Sequence, residues 1–99
     1  MLQVVNPATE EVIRELEEDT ADSVAAKFQA AKLAQPAWAA RDLAERIACL
    51  ECFGALLEER KAELAATLSS EVGKPLKQAA GEISGVAPRI EFFVKNIAE

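Results

Sequence analysis

The sequence predicts a mainly α-helical fold of three to four helices, preceded by a short N-terminal β-hairpin. Two long runs of periodic apolar residues predict the helices, one over residues 43–73 and one over residues 75–99. Two β-branched runs on either side of an Asn-Pro turn predict the hairpin. Because 99 residues suffice for one modest domain, we expect a single unit with strands over 1–18 and helices over 19–99.

The hairpin prediction depends on two short segments and the turn between them. Leu2–Val5 and Val12–Leu16 are rich in strand-forming residues. Asn6-Pro7 initiates the turn, because proline fixes its own φ and keeps the preceding residue out of the α region. An acidic connector then leads to Thr20, which is a candidate N-cap of the first helix.

The first helix is expected over Ala21–Ala34. Pro36 is expected to end it, because proline has no N–H to donate within a helix. Trp38 is expected to pack on neighbouring helices. A narrow buried stripe is predicted at three positions: Val24, Phe28 and Ala31.

Residues 43–73 are interpreted as one or two long helices. Asp42 is a candidate N-cap with Glu45 as its capping-box partner, and Gly73 suits the positive φ that often follows a helix. A break is expected near the charge run at residues 58–61. The apolar stripe consists of Leu43, Ile47, Leu50, Phe53, Leu57, Leu64 and Leu68.

A second apolar patch on the same stretch points away from this stripe. Cys49, Cys52 and Leu56 project towards the opposite face, if each residue turns the helix by about 100°. A helix that covers the outside of a small domain is usually polar on that face. We therefore expect a missing partner, in the same chain or in another one, to cover the patch.

The C-terminal segment carries apolar residues at alternating steps of four and three, as in a heptad seam. Pro88 argues against a free coiled coil, because it removes one intrahelical hydrogen bond and should kink the helix. An ordinary buried helix with a kink is the favoured interpretation. The seam consists of Leu76, Ala80, Ile83, Ala87, Ile90, Val94 and Ile97.

Composition narrows the classes of function. The net charge of −6 and the lack of a basic stripe argue against nucleic-acid binding. No apolar run approaches the length of a membrane span, and the N-terminus lacks the charged start of a signal peptide, so we expect a cytoplasmic protein. The chain has no histidine, which removes the commonest general base and most zinc sites.

Two motifs superficially suggest chemistry. Cys49 and Cys52 have the spacing of a redox or metal pair, but they lie well inside a helix beside Glu51, where thiolate is disfavoured. We therefore favour two small residues on a packed face. Gly73-Lys74 lacks the glycine-rich start and the following Ser or Thr of a phosphate loop. The residues alone give no complete active site.

Several short motifs, taken in order, resemble the N-terminal part of the aldehyde dehydrogenase superfamily. Glu10 departs from the family pattern where glycine is usual, and Val72 replaces a common threonine. The matching motifs are Asn6-Pro7-Ala8-Thr9, Glu11-Val12-Ile13, Trp38, Glu45-Arg46, Glu71, Gly73-Lys74-Pro75 and Glu82-Ile83.

The resemblance implies a fragment of the α/β aldehyde dehydrogenase fold, from the N-terminal part of its coenzyme-binding domain. The full-length family oxidises aldehydes to carboxylic acids with NAD or NADP, through a catalytic cysteine. Its nucleophile, base and cofactor-binding strands lie downstream of this segment. The resemblance therefore implies no catalytic and no cofactor-binding residue in this chain, which we expect to be inactive alone.

The same resemblance implies two sites. Some family members hold a structural monovalent cation with main-chain oxygens before the Asn-Pro turn and an acidic residue before the Gly-Lys-Pro corner. Those positions match Val5 and Glu71, while a solvated Glu71 is the favoured alternative. Val86 is expected to border the substrate entrance.

Two hypotheses about function follow. The chain is either a truncated aldehyde dehydrogenase segment or a stand-alone helical interaction module. Both predict that apolar helix faces are covered by self-association or by the remainder of the enzyme. The aldehyde and the choice between NAD and NADP are not encoded in these residues.

Overall fold

The computed structural model describes residues 1–97 and consists of a β-hairpin followed by helical segments. The hairpin and helical prediction is confirmed. The elements in chain order are β1 (Leu2–Val5), β2 (Val12–Leu16), α1 (Ala21–Ala39), α2 (Leu43–Glu59), α3 (Lys61–Val72), α4 (Leu76–Ser84) and α5 (Val86–Asn96). Only Gly85 separates α4 from α5, so together they form one interrupted helix.

The two strands pair antiparallel, with Leu2 opposite Leu16 and an irregularity after Val4. The Asn6 side chain holds the turn, because its Oδ1 accepts the backbone N–H of Ala8 at 2.9 Å. Glu10 adopts a φ of 63°. The left-handed backbone that suits glycine is therefore kept in this turn even though glutamate occupies the position.

Helix α1 begins as expected and ends later than expected. Thr20 is its N-cap, and a capping box links it to Ser23, with hydrogen bonds of 3.1 and 2.9 Å. The prediction that Pro36 ends the helix is wrong. Proline lacks one donor, but its carbonyl still accepts the N–H of Ala40 at 3.0 Å, so the helix continues to Ala39.

Helices α2 and α3 follow the expected boundaries. Asp42 is the N-cap of α2, although its side chain makes no capping hydrogen bond, so the predicted capping box is absent. The break falls at Arg60, within the charge run. Gly73 ends α3 with a φ of 72°, as expected.

The break between α4 and α5 lies at Gly85, slightly before the proline that was expected to kink the helix. Pro88 cannot donate to the carbonyl of Ser84, four residues earlier. That missing hydrogen bond coincides with the end of α4 at Ser84. Pro88 itself lies in the first turn of α5, where a missing N–H is tolerated.

Packing concentrates where α3 meets α4 and where α2 meets α5. Ala65 and Ala79 are the two fully buried apolar residues within positions 1–97, at 1% and 0% exposure. The radius of gyration is 17.7 Å, whereas a compact domain of this length would have about 13 Å. The chain is therefore an extended assembly of helices with a small core.

The predicted buried stripe of α1 is wrong for this chain. Val24 and Phe28 are exposed, at 54% and 60%, and Ala31 is exposed as well. Trp38 is also exposed, with the Arg41 guanidinium 5.8 Å from its ring centroid. Apolar residues recur along α1, but no other element within residues 1–97 buries them.

Within the described part of the chain, no helix is both long enough and apolar enough to cross a bilayer.

Candidate functional site

The helix corner at Gly73 lies against the turn of the hairpin. A Cβ placed on Gly73 would be 2.9 Å from Cγ of Pro7, which is closer than real contacts allow. The Ser69 hydroxyl closes the corner by donating to the Lys74 carbonyl at 2.7 Å. The corner therefore combines a left-handed backbone with a close approach that only glycine permits.

This contact brings together the two segments that were predicted to hold a cation. Val5 precedes the Asn-Pro turn by one residue, and Glu71 precedes Gly73 by two. Both residues are exposed. The carboxylate of Glu71 and the carbonyl of Val5 are oxygen donors, the type that hard cations prefer. Whether a cation binds between these segments stays a prediction.

An ion pair joins the corner to helix α4. The Lys74 ammonium contacts the Glu82 carboxylate across the start of this helix. Both residues belong to motifs on which the family resemblance depends. This pair was not predicted from the sequence, because Lys74 precedes α4 and Glu82 lies eight positions further on within that helix.

Val86, the predicted entrance residue, lines a shallow groove at the junction of α4 and α5. The other lining residues are Glu82, Gly85 and Arg89. The four positions are spaced as one face of a helix. Arg89 is exposed and makes no ion pair with any residue in positions 1–97.

A larger and more apolar groove lies between α2 and α5. It has a volume of about 520 Å³. Gly54 allows the close approach of the two helices, since a Cβ there would be 3.3 Å from Ile90 Cδ1. The lining residues are Glu51, Gly54, Ala55, Ala87, Ile90, Glu91, Val94 and Lys95. Three residues from the middle of the predicted heptad seam, Ala87, Ile90 and Val94, therefore line this groove.

Cys49 and Cys52 are free thiols on the exposed surface of α2. No group of three or more His, Cys, Asp or Glu side chains suited to a metal ion occurs within residues 1–97. Arg46, on the same helix, has a buried Nε that finds no acceptor among the described residues.

Two carboxylates have pKa values below their ordinary range. The hydrogen bond from Lys27 lowers the pKa of Asp19 most, and that from Ser23 lowers it further. The hydrogen bond from Lys95 lowers the pKa of Glu91 in the same way. Both carboxylates are at the surface, so these pairs organise local structure and do not mark a reactive centre.

Residues 1–99 match the model of the aldehyde dehydrogenase family. The chain belongs to the aldehyde dehydrogenase family. It is an N-terminal segment of such a dehydrogenase, as the order of its motifs predicted, and this prediction is confirmed.

Several similar proteins carry one name, N-succinylglutamate 5-semialdehyde dehydrogenase. The protein of Pseudomonas fluorescens is 41% identical over 97 residues, which cover 98% of this dehydrogenase segment and 20% of the relative. The protein of Chromobacterium violaceum is 39% identical, over 95% of the segment and 19% of the relative. The protein of Escherichia coli K12 is 40% identical, over 91% of the segment and 18% of the relative. The segment thus spans about a fifth of the length of these relatives.

Proposed function

We propose that residues 1–99 form the N-terminal segment of a dehydrogenase that oxidises N-succinylglutamate 5-semialdehyde, an aldehyde with two carboxylates, using NAD or NADP. The observation that carries the proposal is the agreement in name among relatives that are 39–41% identical over nearly the whole chain. The segment's part in this enzyme is structural. It supplies helices on which the remainder of the enzyme packs.

The dinucleotide and the reacting aldehyde carbon belong to the remainder of the enzyme in this proposal. Residues 1–97 form an antiparallel hairpin and helices, without a βαβ unit that could hold a dinucleotide. They do not fit NAD or NADP, and we assign them no step of the oxidation. Cys49 and Cys52 lie on an exposed helix surface, and we give neither the role of nucleophile.

Exposed apolar faces support the structural role. Phe28 and Leu33 on α1 are 60% and 81% exposed, and Phe93 on α5 is 64% exposed. Large apolar side chains exposed in this way usually meet a partner surface.

The proposal retains three expectations from the sequence. A monovalent cation between Val5 and Glu71 would take its other oxygen ligands from the remainder of the enzyme, and the end of α3 favours positive charge there. Val86 would border the substrate entrance. The two free thiols are consistent with a reducing cytoplasm.

The test is a chimera in which residues 1–99 replace the matching segment of the Escherichia coli relative. We expect this chimera to oxidise N-succinylglutamate 5-semialdehyde, measured by reduction of the nicotinamide. The isolated chain should show no turnover with NAD or NADP and a panel of aldehydes. Activity of the isolated chain would contradict the structural role, and a folded chimera without activity would contradict the proposed enzyme.

A stand-alone interaction module is the second candidate, and the groove between α2 and α5 favours it because its apolar lining is open to a partner. Light scattering and a chemical-shift map of the isolated chain distinguish the two. A discrete oligomer whose interface is this groove would support the module. Weak, concentration-dependent association that also involves α1 would support the enzyme segment.

A further inference from the structure

Charge is unevenly distributed along the groove at the junction of α4 and α5. Glu82 and Arg89 are its two charged lining residues. The carboxylate of Glu82 is already paired with Lys74. Arg89 is therefore left without a carboxylate partner within residues 1–97, in a chain whose net charge is −6.

The guanidinium of Arg89 also has room for a ligand. Gly85, one turn earlier on the same face, has no side chain that could fill the groove. Arg89 is exposed and has no hydrogen-bond acceptor among residues 1–97 that would hold it elsewhere. A guanidinium presents a planar set of donors that matches both oxygens of one carboxylate.

From this juxtaposition we propose that Arg89 binds a carboxylate of the aldehyde substrate and is a specificity-determining residue. The inference rests on the proposed function, which places Val86 at the substrate entrance and gives the substrate two carboxylates. Arg89 lies three residues beyond Val86, on the same face of the same groove. It takes no part in the chemical step, because it selects and holds the charged end of the aldehyde.

The first experiment uses the chain as it is. N-Succinylglutamate, the oxidation product, carries the same two carboxylates and a third in place of the aldehyde, and it is titrated into the isotope-labelled chain at constant ionic strength. The Nε–H resonance of Arg89 should shift more than that of Arg41 or Arg14. Equal shifts of all arginines, or no shift at Arg89, would overturn the proposal.

The second experiment measures specificity in the chimera with the Escherichia coli relative. Arg89→Gln should raise KM for N-succinylglutamate 5-semialdehyde about tenfold, the effect of losing one hydrogen-bonded ion pair. The kcat should stay unchanged, and so should KM for pentanal, which has no carboxylate. Arg89→Lys should recover part of the loss.

Lys77→Gln is the matched control, because Lys77 is an exposed cation on α4 outside the groove. It should leave both KM values unchanged. If the parent chimera oxidises pentanal but not the succinylated aldehyde, the proposed substrate is wrong. If it oxidises both and Arg89→Gln changes neither KM, or changes both equally, the role of Arg89 is wrong.

Discussion

The corner between α3 and α4 and the long helix α1 differ in how much of their surface the rest of the chain buries. At the corner, Ala65 and Ala79 are fully buried, and the two helices approach closely because both side chains are small. Helix α1 is longer, with 19 residues, and none of them is buried. Its large apolar residues Val24, Phe28 and Leu33 are exposed, and no element within residues 1–97 buries them.

The difference shows how stability is distributed. The corner closes mainly through packing between the consecutive helices α3 and α4, and Pro7 of the hairpin turn lies against Gly73. Helix α1 depends instead on its capping box and on one exposed ion pair near its N-terminus, between Lys27 and Asp19. Such a surface ion pair is worth little compared with burial. We infer that the corner folds as the stable part of the segment and that α1 gains its stability from a partner surface.

The most sensitive test of this contrast replaces one buried alanine and one exposed alanine by leucine and compares the loss of stability. Ala79→Leu should destabilise the chain by about 1–3 kcal/mol, because the contact between α3 and α4 has no room for it. Ala30→Leu, on the exposed face of α1, should change stability by less than about 0.5 kcal/mol. Urea unfolding measures both. Equal effects would show that α1 is packed in solution.

A pair of glycine substitutions examines the corner itself. Gly73→Ala should cost about 1–2 kcal/mol, because a left-handed backbone disfavours a Cβ and Pro7 Cγ lies in its way. Gly81→Ala, where a Cβ meets nothing within 4 Å, should stabilise helix α4 by about 0.5–1 kcal/mol. Thermal unfolding followed by circular dichroism provides the comparison.

The Gly73 variant can be dissected further. If the contact with Pro7 contributes to the loss, Pro7→Ala should recover part of the stability lost in Gly73→Ala. No recovery in the double variant would assign the whole loss to the backbone conformation.

Variants at the N-cap test how far the stability of α1 is independent of the other helices. Thr20→Ala removes a side chain that accepts a hydrogen bond within the capping box, and it should cost about 1 kcal/mol. Amide hydrogen exchange should show that loss mainly within α1 and leave the protection of α3 and α4 unchanged. Asp42→Ala is the comparison, since Asp42 makes no capping bond and the loss there should be smaller. A loss spread over all helices would contradict an independent α1.

The smallest effect concerns pH. The hydrogen bond from Lys27 lowers the pKa of Asp19 from its ordinary value of 3.8. The stabilisation this gives to α1 is complete above the unfolded-state pKa and is lost as the pH falls through the lower folded-state pKa. The carboxyl resonance of Asp19 should thus titrate below pH 3.8. Lys27→Gln should return its midpoint towards that value, and an unchanged midpoint would exclude this ion pair in solution.

The amino-acid sequence determined the local elements of this protein and its family. Asn6-Pro7 predicted the hairpin turn, Thr20 predicted the start of α1, and Gly73 predicted the end of α3. Each of these features depends on the conformational limits of only one or two residues. The order of these motifs also indicated an aldehyde dehydrogenase segment, which the family match confirms.

The tertiary structure alone decided which apolar faces are covered. The spacing of Val24 and Phe28 is the same whether the face of α1 meets another helix or solvent, so periodicity could not show that it is exposed. Likewise, only the fold brings Lys74 to Glu82, so that within residues 1–97 Arg89 makes no ion pair. A sequence specifies which side chains share a face, but burial and charge balance depend on what lies opposite, and that is fixed only when distant segments meet.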